Sequence, residues 1–165
     1  ECFALAAHLG PKDLGFALSP GIPFAGRFEM SMATEGRGLL MHWSGDAQRF
    51  AIQVPQTGDW AALELDLEGY LGSSAGLACT LVTESGTGFL FETALSLQTT
   101  QNRRIAHRLA HHHVHHCPGN QCVTIRHDFP RHHLLEGTRP RLSIILPRQA
   151  ANFRLVLRDL MVNRL

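Results

Sequence analysis

The chain has 165 residues, enough for one domain with a sizeable core, and its 44% hydrophobic share argues against disorder. No run of about 18 apolar residues occurs, which excludes a membrane-spanning helix, and four cysteines are too few for a disulfide framework. The net charge of +1 hides an asymmetry: residues 1–92 carry eleven acids against four bases, and residues 93–165 carry eleven arginines against three acids. Unless the halves interleave strand by strand, one face would attract anions. Composition fixes neither the redox compartment nor the location of the chain.

Residues 1–26 are rich in Gly, Pro and Ala and read as an irregular N-terminal lead-in, with one helical turn around Leu5. The opening ECFALAAHLG lacks the basic n-region and A-x-A site of a signal peptide. The sequence is read as a piece of a longer protein. From Arg27 the pattern changes to short extended segments bounded by turns, which assigns residues 27–165 to an all-β domain: a two-layer antiparallel β-sandwich of the jelly-roll kind.

The clearest strand is Trp60–Glu68, where Leu63, Leu65 and Leu67 alternate with Glu64, Asp66 and Glu68. Trp60 opens it and reads as a core residue. Gln48–Val54 repeats the pattern with Phe50, Ile52 and Val54. The stretch LACTLVTES reads as a further strand, and GTGFLFETALSL places Phe89, Phe91, Thr93, Leu95 and Leu97 on one face. Arg103–His116 fits a helix face or one arm of a hairpin with Val123–Phe129, the Pro118-Gly119-Asn120 turn favouring the hairpin. Arg141–Leu146 and Asn152–Val162 complete about ten strand candidates, with no long helical repeat.

Residues 107–133 hold nine histidines and two cysteines. Imidazole and thiolate are the usual ligands of zinc or copper. On an extended strand His111, His113, His115 and Cys117 share a face, and a hairpin would bring Cys122 and His127 alongside to complete a metal site. A disulfide between Cys117 and Cys122 is an alternative for the same hairpin. A third reading is a surface whose imidazoles charge together on mild acidification.

Gly72-Ser73-Ser74-Ala75-Gly76 matches G-x-S-x-G, and Asp128 and His132 follow in triad order. The nucleophile elbow needs a helix after the serine, whereas LACTLVTES reads as a strand, so the match is read as a hairpin loop. The carboxylates Glu64, Asp66 and Glu68 share a face suited to calcium or to acid/base work. The reading preferred is a solvated face opposite Arg154 and Arg158 on a neighbouring strand. No dinucleotide fingerprint, P-loop, H-E-x-x-H or EF-hand loop occurs. No basic helix or aromatic–basic motif points to nucleic acid.

The segments GDWAALELDLEGY, RPRLSIILP and FRLVLRDLMVNRL resemble strands of galactose-binding-like jelly-roll and carbohydrate-binding modules, over about half the chain. That resemblance implies noncatalytic glycan binding, sometimes with a structural calcium, in a module attached to a bacterial glycan-processing enzyme. The expectation is therefore a noncatalytic accessory module whose partner is a glycan or a neighbouring domain of the same chain. Its ligand surface is expected around Trp43 and Tyr70, which lie near loops and offer flat apolar faces, helped by Arg131, Arg139 and Arg141. The alternative is a zinc- or copper-binding β domain built on His111, His113, His115, Cys117, Cys122 and His127.

Overall fold

The computed structural model describes residues 2–4, 14–18, 23–24, 27–32, 39–44, 49–71, 74–101, 105–129 and 137–165. Its regular elements are strands: β1 (Cys2–Ala4), β2 (Leu14–Leu18), β3 (Pro23–Phe24), β4 (Phe28–Met32), β5 (Leu39–Ser44), β6 (Arg49–Gln56), β7 (Ala61–Asp66), β8 (Gly76–Ser85), β9 (Phe89–Thr99), β10 (Ile105–His116), β11 (Gly119–Asp128), β12 (Thr138–Ile145) and β13 (Ala151–Arg164). The first sheet runs β11-β8-β13-β6-β5-β2, with β1 also paired to β13. The second runs β10-β9-β12-β7-β4-β3. All pairings are antiparallel, so the expected two-layer β-sandwich is the observed architecture. No helix among the described residues is long and apolar enough to cross a membrane.

Alternation decides which face each strand buries. From the second sheet, Leu63 and Leu65 of β7, Phe91, Leu95 and Leu97 of β9, and Leu142 and Ile144 of β12 are buried. From the first sheet, Leu77, Cys79 and Leu81 of β8 and Leu155, Leu157, Leu160 and Val162 of β13 are buried too. The β13 set changes parity because its register with β8 shifts between Leu157 and Asp159. The extra residue of such an irregularity turns the later side chains back to the core. Each fully buried leucine contributes about 1.5–3 kcal/mol of transfer free energy.

Within residues 1–26, expected to be irregular, β1, β2 and β3 are short strands joined to the sheets. Glycine and proline punctuate this region so closely that strands of two to five residues leave no period to read. Gly76 shows a second local constraint. A Cβ there would lie 2.9 Å from Asp128 Oδ1 and 3.0 Å from the His127 carbonyl oxygen, so only glycine lets β8 approach β11 at this point.

Residues 105–116 are extended, which settles the choice between helix and strand, but the expected pairing with Val123–Phe129 is not made. Strand β10 pairs with β9 in the second sheet and β11 pairs with β8 in the first. The Cys117–Pro118 link therefore crosses the edge of the sandwich from one layer to the other. Each long strand finds a long partner in its own sheet, with ladders of about ten residues on both sides.

Candidate functional site

Several of the side chains that β7, β9 and β12 turn away from the core are small. Ala62, Ala94, Ser96 and Ser143 form a low floor for a cleft of about 940 Å³ across the outer face of the second sheet. Apolar Trp60 and Ile105 border it and are 43% and 55% exposed. Arg108, Arg148, Asp59 and Gln149 add hydrogen-bonding groups. Exposed large apolar side chains beside convergent polar groups mark a ligand surface.

Two turns hold this rim. Thr57 N–H donates to the Ala150 carbonyl (3.1 Å) and Ala150 N–H to Thr57 Oγ1 (2.9 Å). Gln149 N–H donates to the Gly58 carbonyl (2.7 Å), and its amide donates to Asp59 Oδ1 (3.3 Å). The turn carrying Trp60 and the turn carrying Arg148 are thus fastened to each other. Trp60 stands on the rim of the cleft, which corrects its reading as a core residue: it precedes the first inward position of β7.

A buried charge network adjoins the cleft, and its Glu64 belongs to the cleft lining. Arg141 of β12 pairs with Glu29, with Glu64 (3.4 Å) and with Asp66 (3.9 Å). Glu64 also accepts hydrogen bonds from Ser31 Oγ (2.8 Å), Gln98 Nε2 (3.3 Å) and Ser143 Oγ (3.3 Å). Arg139 pairs with Glu68 (3.2 Å) and approaches Asp66 (4.0 Å). The carboxylates of β7 thus face Arg139 and Arg141, and not Arg154 and Arg158 as expected; Arg158 instead pairs with Glu84 (2.7 Å). Strand β12, the hydrogen-bonded neighbour of β7, brings its arginines opposite those carboxylates.

The expected ligand residues fall in different places. Trp43 lies on β5, in the sheet opposite the cleft. Arg131 lies outside the described residues, as does His132. The Tyr70 hydroxyl donates to the Val162 carbonyl (2.6 Å), and Arg164 covers its ring at 5.5 Å, so Tyr70 braces the loop against β13. Arg139 and Arg141 are engaged in the ion pairs just described. The cleft residues missed in the sequence carried one signal. The non-core face of β9 reads Ala94, Ser96, Gln98, where an ordinary wet face would carry longer charged side chains.

The histidines divide by strand parity. His112, Val114 and His116 of β10 face inward, and His111, His113 and His115 face outward. From the opposite sheet His127 also faces inward, its ring 4.9 Å from that of His112 and edge-on to it. Burial, helped by the nearby His112 charge and opposed by Asp128, lowers the His127 pKa to about 4. His116 stacks on Phe89 at 4.8 Å. Cys122 points outward from the first sheet, while Cys117 is exposed at the crossing. The expected six-residue metal set is therefore not brought together: His127 lies inside, Cys122 on the far outer face, and His111 and His113 on the near one. Cys117 and Cys122 are free thiols. Gln121 ties the crossing instead, accepting from Cys117 N–H (3.1 Å) and donating to the His115 carbonyl (2.9 Å). Among the described residues, one group of three metal-ligating side chains converges: Glu92, His111 and His113.

Ser74 lies in the loop before β8, and a strand follows it rather than a helix. Asp128 is taken up by Arg126 at 2.7 Å. The nucleophile-elbow geometry is absent from the described residues.

No family model matches the sequence, and no curated protein matches it. Solved carbohydrate-binding modules match the fold over most of the chain. A CBM4 module superposes with a TM-score of 0.63 at 12% identity, over 84% of this chain and 86% of that one. The family 11 carbohydrate-binding module from Clostridium thermocellum, solved with a β-1,3-1,4-mixed-linked tetrasaccharide, gives 0.54 at 8% identity over 90% and 94%. The xylan-binding module CBM15 gives 0.51 at 8% identity over 93% and 97%. At these identities the likeness is one of fold.

Proposed function

We propose that this chain is a noncatalytic glycan-binding module, acting beside a neighbouring domain, and that the cleft over β7, β9 and β12 is its ligand site. The observation that carries this is the exposed Trp60 held over a floor of alanine and serine. A pyranose ring presents a flat C–H face that stacks on an indole and a girdle of hydroxyls that needs donors and acceptors. The cleft supplies both, through Trp60 and Ile105 on one hand and Arg108, Arg148, Asp59 and Gln149 on the other. The small floor leaves room for a chain lying across the strands. The oligosaccharide bound by the family 11 module and the xylan bound by CBM15 suggest a β-linked polysaccharide as the substrate class. Among the described residues neither Arg108 nor Arg148 pairs with a carboxylate, so both are available to sugar hydroxyls or to a uronate.

Affinity electrophoresis and calorimetry against mixed-linkage β-glucan, xylan and glucuronoxylan test the proposal. Binding to at least one is expected, and W60A should weaken it by about thirtyfold, corresponding to the loss of about 2 kcal/mol at a stacking hot spot. W43A, on the opposite sheet, should bind as the parent does. A blank panel, or equal binding by W60A, would overturn the assignment.

A further inference from the structure

We propose that Glu92, His111 and His113 form a binding site for one divalent transition-metal ion of the zinc or copper class, on the sheet face that also carries the cleft. The three residues sit on two hydrogen-bonded strands. His113 lies directly opposite Glu92 in the β9–β10 ladder, and His111 lies opposite Ala94, two residues along on the same face. Each oxygen of one carboxylate meets one imidazole: Oε2 lies 2.6 Å from His111 Nε2 and Oε1 lies 3.6 Å from His113 Nδ1. The two rings are 4.8 Å apart, and one donor atom from each residue falls within 4.8 Å of the others.

A tetrahedral ion with bonds of about 2.0–2.2 Å holds its donors about 3.4 Å apart. The 2.6 Å and 3.6 Å contacts, made to the two oxygens of Glu92, lie on either side of that value, so the site is expected to form by side-chain rotation. Two nitrogens and one oxygen suit zinc or copper and not calcium, which takes six to eight oxygens. Glu92 and His111 are half-buried, with 23% and 27% side-chain exposure, and His113 is exposed at 60%, so an ion can reach the group from solvent. Rigid strands hold such a set better than loops do. Three protein ligands leave a coordination position open to water or to a further ligand. Parity excludes His112 and His116, which point inward, away from this group, and His115, on the outer face, is not among the side chains that converge there.

The test uses the chain without an affinity tag, stripped with EDTA and titrated with zinc chloride by calorimetry at pH 7.5, with bound metal counted by elemental analysis. One equivalent is expected. E92Q, H111A and H113A should each weaken binding at least tenfold, while H107A and H115A stay within twofold of the parent. Glu92, His111, His113 and His115 lie on the outer face, His107 is exposed near the start of β10, and circular dichroism confirms that each variant is folded. H111N, which keeps a hydrogen bond to Glu92 but is a poor ligand, should bind as weakly as H111A. Absence of bound zinc would overturn the site. So would several weak equivalents that fall equally with H115A and H111A, the behaviour of a diffuse histidine run. The titration contains no sugar, so a failure of glycan binding leaves its result standing.

Discussion

His127 is a basic side chain held where a proton is hard to accept. It is fully buried, its Nδ1 has no hydrogen-bond partner among the described residues, and Nε2 meets only Thr93 Oγ1 at 3.4 Å. The ring of His112 faces it, and its neighbour Asp128 is engaged by Arg126. The folded state holds its pKa near 4, while an unfolded histidine titrates near 6.5. As pH falls through about 6.5 the unfolded chain takes the proton first, so stability drops from there down to about 4 and levels below it. H127L removes this linkage. Denaturation measured from pH 7 to pH 4 should therefore show the variant gaining on the parent as pH falls, and parallel curves would refute it. Cys79, in the same core, is also buried in apolar surroundings, and burial raises its thiol to about 12. It is a packing residue and not a nucleophile.

At the scale of elements, β12 couples the core to the cleft. Its inward residues Leu142 and Ile144 pack in the core, while Arg141 and Ser143 on its other face hold Glu64. Arg141 compensates Glu29 and Glu64 in surroundings that shield all three from water. Removing one partner of such a buried set strands the others, at a cost of about 3–5 kcal/mol. R141L should show a loss of that size in urea denaturation at pH 7, and a change below 1 kcal/mol would mean that the carboxylates find water instead. The sequence made β12 and β7 legible as strands, because Leu63, Leu65, Leu142 and Ile144 keep a strict period of two. It does not show that they are neighbours, which is why the expected partners of Glu64, Asp66 and Glu68 are Arg154 and Arg158. Pairing depends on which strand lies next in space. The same limit applied to β10 and β11, whose turn resembles a hairpin although the strands belong to different layers.

In the whole molecule part of the charge asymmetry of the sequence closes on itself. Arginines of the second half, Arg139, Arg141 and Arg158, meet acids of the first, Glu29, Glu64, Glu68 and Glu84. The sandwich interleaves strands distant in the chain, which brings these charges of the two halves together. That interleaving also hid the cleft. Its floor and walls come from β4, β7, β9, β10 and β12 and from the turns before β7 and after β12, and no local segment contains a motif for it. The histidine pair His111 and His113 was visible in the run, but Glu92 was not, because it joins them only through the β9–β10 register. The cleft rests directly on the shared core: Ala62 and Ala94 line it between the core residues Leu63 and Leu95. A ligand that fills it binds the folded chain and not the unfolded one. At a hundred times its dissociation constant such a ligand stabilises by about 2.7 kcal/mol, which for a chain of this length raises Tm by roughly 5–10 °C. Saturating oligosaccharide should produce that shift in one cooperative transition, with tryptophan fluorescence and far-ultraviolet dichroism moving together. W60A should melt in one transition as well but lose most of the shift. If fluorescence moved without the melting of the sheets, the sugar would be ordering only the rim around Trp60, and the cleft would be uncoupled from the core beneath it.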